Sequence, residues 1–339
     1  MIEVRKMLGN KIKDATVNSR HDRCLLCGKK GGFCNSHTIP QFCLENIAWN
    51  GKLNSFNTLI DSNLLKRDSG INNAATFHII CKSCDSKVFQ DYENEDAYLY
   101  NLSESAINQI VLKTSLRDIY KHEMEVKLFE NIKRTAMEKC PFFSHLINSQ
   151  INARERDIEE CYEIFNKAKS FLSSQKSQIR IVSYDRLDYI TPIAFRGMVA
   201  MVTGVNGEII NNYFNHAKKY KMEYLHIAVF PLKEATAVVV LIDPESTRYE
   251  QFEKFLSGTT LDRRLEIINR IIMLYTEDYF LSKQLSEETI KSLADVAKTL
   301  PDIFTFNARI SVKNAVKDYD LRRDICIPNL LSRDYAVTL

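Results

Sequence analysis

The sequence predicts an α+β protein: a cysteine-rich zinc module, then a larger, predominantly helical domain that contains a small antiparallel sheet. Two observations carry this prediction. Six of the nine cysteines fall within residues 24–95, and the 339-residue chain has only 10 glycines and 7 prolines. Average usage would give roughly 24 and 17. Few turn residues favour long helices over sandwiches or barrels. We predict a zinc module at residues 1–98 and a helical α+β domain at residues 99–339.

Composition and charge exclude several classes of protein. Hydrophobic residues make up 45% and charged residues 26%, which excludes wholesale disorder, a collagen-like chain and a coiled-coil rod. The net charge of +3 is too small for a strongly basic nucleic-acid protein, although it leaves room for a local basic patch. No apolar run approaches the length of a membrane span and no signal-peptide pattern occurs, so we expect a cytoplasmic protein. In that reducing compartment, clustered cysteines indicate metal rather than disulfides.

The N-terminal hundred residues are expected to be rich in loops. Residues 1–23 are polar and basic and predict a short helix or a mobile arm. Residues 50–76 are rich in Asn and Ser and are typical of an insertion. Residues 77–80 (FHII) are strand-like, and helical spacing follows them at Cys84, Val88 and Tyr92.

The rest of the chain alternates between helical and strand-like patterns. Residues 100–175 lack glycine and have helical periodicity. Cys140-Pro141 is predicted to end one helix, because a proline disfavours the α conformation of the residue before it. A second helix is expected over about 150–173.

Beyond residue 178 the pattern changes. Residues 179–184 (IRIVSY) alternate, as in a strand, and two β-branched runs at 224–232 and 235–243 predict a β-hairpin. Helices are predicted near 192–203 and 208–219. Long helical periods then return, with Ser286 as a capping residue at one helix start.

Two Cys-x2-Cys motifs form the strongest local signal. Cys24 and Cys27 make the first, and Cys81 and Cys84 the second. Together they supply four thiolates, which is a ligand set that tetrahedral Zn²⁺ prefers. Each Cys-x2-Cys motif is called a knuckle below. Two knuckles joined by strands, with the last two ligands at a helix start, are typical of a treble clef. Bound zinc would stabilise a module that is otherwise rich in loops. The alternative is four structural cysteines without metal.

A histidine motif lies between the two knuckles. Residues 36–40 read SHTIP, and Asp85 directly follows Cys84. In these features the chain resembles the HNH (ββα-metal) endonuclease superfamily in its zinc-stabilised form, over about residues 20–96. The resemblance implies a ββα-metal core with His37 as the general base that activates water. It also implies Mg²⁺ or Mn²⁺ held partly by Asp85, polarising the scissile phosphate.

Alternatives remain open at each of these positions. The chain has Ser36 where the superfamily usually has an acidic residue or histidine, and Phe89 where many members have a second histidine. His37 is alternatively a fifth candidate zinc ligand or a brace for the knuckle, and Cys34 could compete for zinc. Asp85 is alternatively a favourable charge at a helix N-terminus.

Two further sets of charged residues bear on the site. Asp91, Glu93 and Glu95 fall on the helix predicted to carry Asp85, where a second carboxylate ligand is allowed but not required. Residues 1–30 hold eight basic and three acidic residues, so 8 − 3 = +5. A solvated arm would explain this charge, and so would contact with a phosphate backbone. The candidate nucleic-acid-binding residues are Arg20, Arg23, Lys29 and Lys30.

The leading prediction from the sequence is a metal-dependent HNH-like endonuclease. It would carry structural Zn²⁺ and catalytic Mg²⁺ or Mn²⁺. Its substrate would be nucleic acid, with DNA expected rather than RNA. By analogy alone, such a nuclease with its own regulatory domain suggests an anti-phage defence effector. Residues 99–339 are expected to regulate it, recruit a partner subunit or form a homo-oligomer. The rival prediction is a catalytically inactive zinc module that binds nucleic acid or protein.

Overall fold

The computed structural model divides the chain into two compact units that interleave along the sequence. The first unit comprises Met1–Thr38, Thr76–Gln90 and Asn108–Lys176, and the second comprises Ile39–Ala75, Asp91–Ile107 and Ser177–Leu339. The predicted functional division after residue 98 stays a prediction. The residues described are 2–56, 65–74, 76–137, 141–174, 177, 179–213, 215, 217, 219–276, 278–299 and 316–338.

The fold is mixed α and β, with helix as the predominant element. In chain order the helices are α1 (Ile2–Asn18), α2 (Gln41–Ile47), α3 (Lys82–Val88), α4 (Glu104–Met137), α5 (Pro141–Ser174), α6 (Glu250–Gly258), α7 (Leu261–Tyr275) and α8 (Glu287–Ala297). The strands are β1 (Ser36–His37), β2 (Lys52–Phe56), β3 (Leu65–Gly70), β4 (Thr76–Phe77), β5 (Arg180–Leu187), β6 (Ile193–Val199), β7 (Leu225–Pro231), β8 (Thr236–Ile242) and β9 (Tyr279–Leu281). None of the helices in the described part of the chain is long and apolar enough to cross a bilayer.

Helices dominate the first unit. Its basic N-terminal segment is the helix α1, so of the two predicted forms the helix is confirmed. Helix α5 begins at Pro141, where a proline costs least because the first N–H groups of a helix have no partner within it. Cys140, where the first helix was predicted to end, lies outside the described residues, and the second helix starts earlier than position 150. The Asn108 amide donates to the Ala168 carbonyl at 2.8 Å, which joins α4 to α5.

A buried ion pair also joins these two helices. The Glu125 carboxylate on α4 is 1% exposed and lies 2.8 Å from Arg154 Nε on α5 and 3.0 Å from His122 Nδ1. Burial alone would raise the pKa of Glu125, but Arg154 and His122 outweigh it and hold that pKa below its ordinary range. The helix pair therefore contains a charged carboxylate that depends on its partners.

The second unit is built on a seven-stranded antiparallel sheet. Its strand order is β3-β2-β9-β6-β7-β8-β5, and every neighbouring pair is antiparallel. Strands β7 and β8 are buried along their whole length and form the predicted hairpin. Alternate residues of one face, among them Phe195, Ile227 and Val240, belong to one hydrophobic cluster with residues of α6, α7 and α8. On the other side, the Asn46 amide of α2 donates to the Pro231 carbonyl at 3.1 Å.

Three sequence predictions were wrong in this unit. The helix predicted near 192–203 is strand β6, because its backbone pairs with both β7 and β9. The described residues of 208–219 contain no helix. The small sheet is larger than predicted, since β2 and β3 lie in the supposed insertion at 50–76 and extend it through β9; residues 57–64 and 75 of that segment lie outside the described residues.

Candidate metal centre and the polar cluster beside it

The four cysteines of the two knuckles come together. The sulfur atoms of Cys24, Cys27, Cys81 and Cys84 all lie within 4.8 Å of one another, and Cys27 Sγ is 3.8 Å from Cys81 Sγ. Tetrahedral Zn²⁺ with bonds of about 2.3 Å sets its sulfur ligands about 3.8 Å apart. The cluster therefore has the donor atoms and the spacing to hold a metal ion such as zinc.

Local backbone geometry explains why each knuckle presents two sulfurs. The Gly28 N–H donates to the Cys24 carbonyl at 2.8 Å, and the Cys24 N–H donates to the Lys29 carbonyl at 2.9 Å. Gly28 closes this turn with φ at +70°, a conformation that costs glycine little. In the second knuckle Cys81 directly precedes α3, and Cys84 lies in its first turn. The Cys81 N–H donates to Cys24 Sγ at 3.3 Å, which ties one knuckle to the other.

The four sulfurs differ in their exposure. Cys24 and Cys81 are buried, Cys84 is half-buried and Cys27 is exposed. The backbone N–H of Lys29 lowers the pKa of the Cys27 thiol to about 7. Because the thiolate is the form that binds metal, this hydrogen bond favours coordination near neutral pH.

Other candidate zinc ligands are not part of this group. Among the described residues, the four cysteines are the one set of three or more Cys, His, Asp or Glu side chains that is placed to hold a metal. Cys34 and His37 are not in it. Cys34 Sγ instead lies 3.7 Å from Asp85 Oδ2, and burial together with the Asp85 charge raises the Cys34 pKa to about 12.

The Asp85 carboxylate accepts hydrogen bonds from other side chains of the first unit. Its Oδ1 accepts hydrogen bonds from Ser36 Oγ and Lys113 Nζ, both at 2.7 Å. The Lys113 side chain is fully buried, and that of Asp85 is 26% exposed. Lys113 Nζ also lies 4.0 Å from the ring centroid of Phe89. The carboxylate that was predicted to bind Mg²⁺ is therefore in direct contact with the ammonium group of Lys113.

His37 occupies the second position of the short strand β1, where its backbone pairs with Thr76 of β4. Successive residues of a strand point to opposite faces, and Ser36 is the one whose side chain reaches Asp85. The structure therefore brings Ser36 to Asp85, and alternation directs His37 to the other face. The role of His37 as a base stays a prediction.

The predicted second carboxylates do not share the helix of Asp85. Helix α3 ends at Val88, so the expectation that it carries Asp91, Glu93 and Glu95 was wrong. The physical reason is that Phe89 leaves the helical conformation, with φ at −107° and ψ at 34°, and the chain continues in turns after it.

The predicted basic residues lie on the surface around the first knuckle. Arg20, Arg23, Lys29 and Lys30 are all exposed. The backbones of Arg23 and Lys30 form an antiparallel bridge, and Arg23 Nη1 donates to the Gly28 carbonyl at 3.1 Å. The knuckle that contributes two sulfurs to the cluster therefore also presents positive charge to solvent.

Sequence reasoning missed Lys113. All residues from 108 to 116 are buried, and Lys113 is the one charged residue among them. The available signal was weak, because this segment mixes apolar residues with Asn108, Gln109, Thr114 and Ser115; what stands out is its single charge, since a fully buried lysine requires a partner.

No protein-family model matches the chain, and none of the curated proteins or solved structures compared with it is significantly similar. The resemblance to the HNH superfamily therefore rests on the residues and motifs named above.

Proposed function

We propose that the first unit is a zinc-stabilised module, of treble-clef type, that binds nucleic acid through the basic residues of its first knuckle. The observation that carries this proposal is the placement of exposed cations on the same turn that contributes Cys24 and Cys27 to the four-sulfur cluster. Bound zinc would stabilise the conformation of that turn and hence the spacing of its charges.

Non-catalytic binding is favoured over hydrolysis by the surroundings of Asp85. A catalytic Mg²⁺ needs several oxygen ligands in octahedral geometry. The Asp85 carboxylate instead accepts hydrogen bonds from Lys113 and Ser36. Among the described residues, the one group of side chains placed to hold a metal is the four cysteines, which includes neither Asp85 nor another acidic residue.

The test is the salt dependence of binding by the full-length, zinc-loaded chain, measured by fluorescence anisotropy on duplex DNA and on single-stranded RNA. Four phosphate contacts predict a slope of log K against log salt of about −3.6 for duplex DNA. A fourfold substitution to Gln in the knuckle should remove most of this slope and weaken binding at low salt. Those substitutions are at Arg20, Arg23, Lys29 and Lys30.

A matched control removes the same charge from exposed positions in the second unit. It should leave both slope and affinity near those of the wild type. If the knuckle variant binds both nucleic acids as tightly as the control, and with the same slope, the proposal is wrong. The control substitutions to Gln are at Lys254, Arg263, Lys291 and Lys298, which are all exposed.

A metal-dependent HNH-like endonuclease is the second candidate. The observation that favours it is the chain order of β1, its antiparallel partner β4 and then α3, in which Asp85 directly follows the knuckle residue Cys84. This order is compatible with the ββα core that the resemblance implies. His37 would act as the base, and an anti-phage role would follow by analogy.

Plasmid cleavage with Mg²⁺ or Mn²⁺ separates the two candidates. A nuclease should lose cleavage in His37→Ala and retain it in His145→Ala, a change at an exposed histidine of α5. Absence of cleavage by the wild type with either metal, or equal cleavage by His37→Ala, would rule out the second candidate. Sedimentation of the same preparations tests the proposed homo-oligomer.

A further inference from the structure

We infer that the Lys113 ammonium is a built-in cation, which takes the place beside Asp85 that a metal ion would occupy and joins β1, α3 and α4 without a metal. This inference goes beyond the proposed function and does not depend on nucleic-acid binding. Its basis is the contact of Lys113 Nζ with Asp85 Oδ1 at 2.7 Å, inside a site that excludes solvent from the lysine.

The surroundings of the ammonium are those of a cation site. Lysine is almost never fully buried unless it is paired, and here the pairing carboxylate is also held by the Ser36 hydroxyl at 2.7 Å. Two aromatic faces complete the environment, with ring centroids 4.0 Å away at Phe89 and 5.9 Å away at Phe77. Both distances are within the range in which a cation is attracted to the negative face of a ring.

The ammonium and a divalent ion exclude each other at this carboxylate. Two cations bound to one oxygen would lie only a few ångströms apart, where like charges repel strongly in a medium less polar than water. Lys113→Ala removes this ammonium together with three of the methylene groups that carry it. Removal of this side chain should therefore leave Asp85 and Ser36 facing a space that a small divalent ion and its waters can enter.

The experiment follows the melting temperature of the zinc-loaded full chain with and without Mn²⁺. Lys113→Ala should melt below the wild type, and 1 mM Mn²⁺ should raise its melting temperature by roughly 3 °C or more. The wild type should not respond. Lys113→Ala/Asp85→Asn should not respond either, because it lacks the carboxylate.

Lys169→Ala is the matched control. Lys169 is a half-buried lysine of the same unit whose Nζ lies 5.3 Å from the Phe165 ring centroid and donates to the Leu25 carbonyl at 2.9 Å. This variant should melt lower without any response to Mn²⁺. A Mn²⁺ response in Lys169→Ala or in the double variant, or none in Lys113→Ala, would overturn the inference.

A second measurement applies even if Lys113→Ala fails to fold. Electron paramagnetic resonance counts the Mn²⁺ bound by the wild type and by Asp85→Asn. A built-in cation predicts no tightly bound Mn²⁺ in either protein. One Mn²⁺ in the wild type that is lost in Asp85→Asn would show that a metal, and not Lys113, is the cation of this site.

Discussion

His226 should make the second unit less stable at acid pH. It lies in the interior strand β7, between Met198 of β6 and Leu241 of β8, and it is 2% exposed. Its Nδ1 has no hydrogen-bond partner among the described residues. Burial, with a smaller contribution from Arg196 and against an opposing one from Asp243, lowers the pKa of His226 to about 4.

The size and sign of the effect follow from the two pKa values. The unfolded chain takes up a proton on this imidazole below about pH 6.5, whereas the folded chain keeps it neutral down to about pH 4. The stabilisation is therefore fully present above pH 6.5 and is lost as the pH falls to 4. A difference of about 2.5 pKa units corresponds to about 3 kcal/mol, of which about 2 kcal/mol is already lost at pH 5.

The assay is urea unfolding, followed by circular dichroism, of the wild type and His226→Leu between pH 8 and pH 5. Both proteins share the zinc site and every other titrating group, so these contributions cancel in the comparison. The wild type should lose about 2 kcal/mol more unfolding free energy than the variant over this range. His145→Leu, at an exposed position, should follow the wild type. Identical pH dependence of the wild type and His226→Leu would refute the reasoning.

Three further predictions concern the zinc site, the helix pair and a helix cap. Cys81→Ser removes a buried ligand and should reduce bound zinc from about one per chain to none by metal analysis after dialysis; retained zinc would contradict a four-cysteine site. Glu125→Gln removes the carboxylate shared by Arg154 and His122, leaving Arg154 with Asp157 as its charged partner, and should cost about 2 kcal/mol in urea unfolding; because the Glu125 pKa is lowered, the stabilisation of the wild type should be lost progressively as the pH falls below about 4, and unchanged unfolding in the variant would refute this. Ser286→Ala removes the hydrogen bond to the Thr289 N–H at 3.1 Å and should cost about 1 kcal/mol, whereas Ser286→Asp should retain it; equal losses in both variants would argue against the cap.

Features set by contacts between near neighbours in sequence were predictable. Each Cys-x2-Cys motif forms within one tight turn, so the spacing alone indicated two sulfurs per knuckle. The hairpin of β7 and β8 connects two β-branched runs through Lys233 and Glu234, and its pairing needs no distant partner. The cap at Ser286 likewise depends on residues within one turn, whereas helix α5 begins at Pro141 and not near position 150 as predicted.

Strand β6 is an element that local sequence patterns could not predict. Its residues, IAFRGMV, are apolar enough to form a buried helix or a buried strand, and periodicity does not separate the two in a segment this short. The choice is made by hydrogen bonds to β7 and to β9, whose residue Leu281 pairs with Ile193. Partners that lie tens of residues away in the chain are invisible to a local pattern.

The sequence by itself determined the candidate metal ligands, the basic first knuckle and the acidic residue after the last cysteine, because each of these is a property of residue type and short spacing. Only the tertiary structure decided what Asp85 faces. Whether its carboxylate meets water, a metal or an ammonium depends on how α4 packs, and that packing brings Lys113, 28 residues away, to 2.7 Å. Burial then makes the pairing obligatory, since an unpaired charge in that position would cost several kcal/mol.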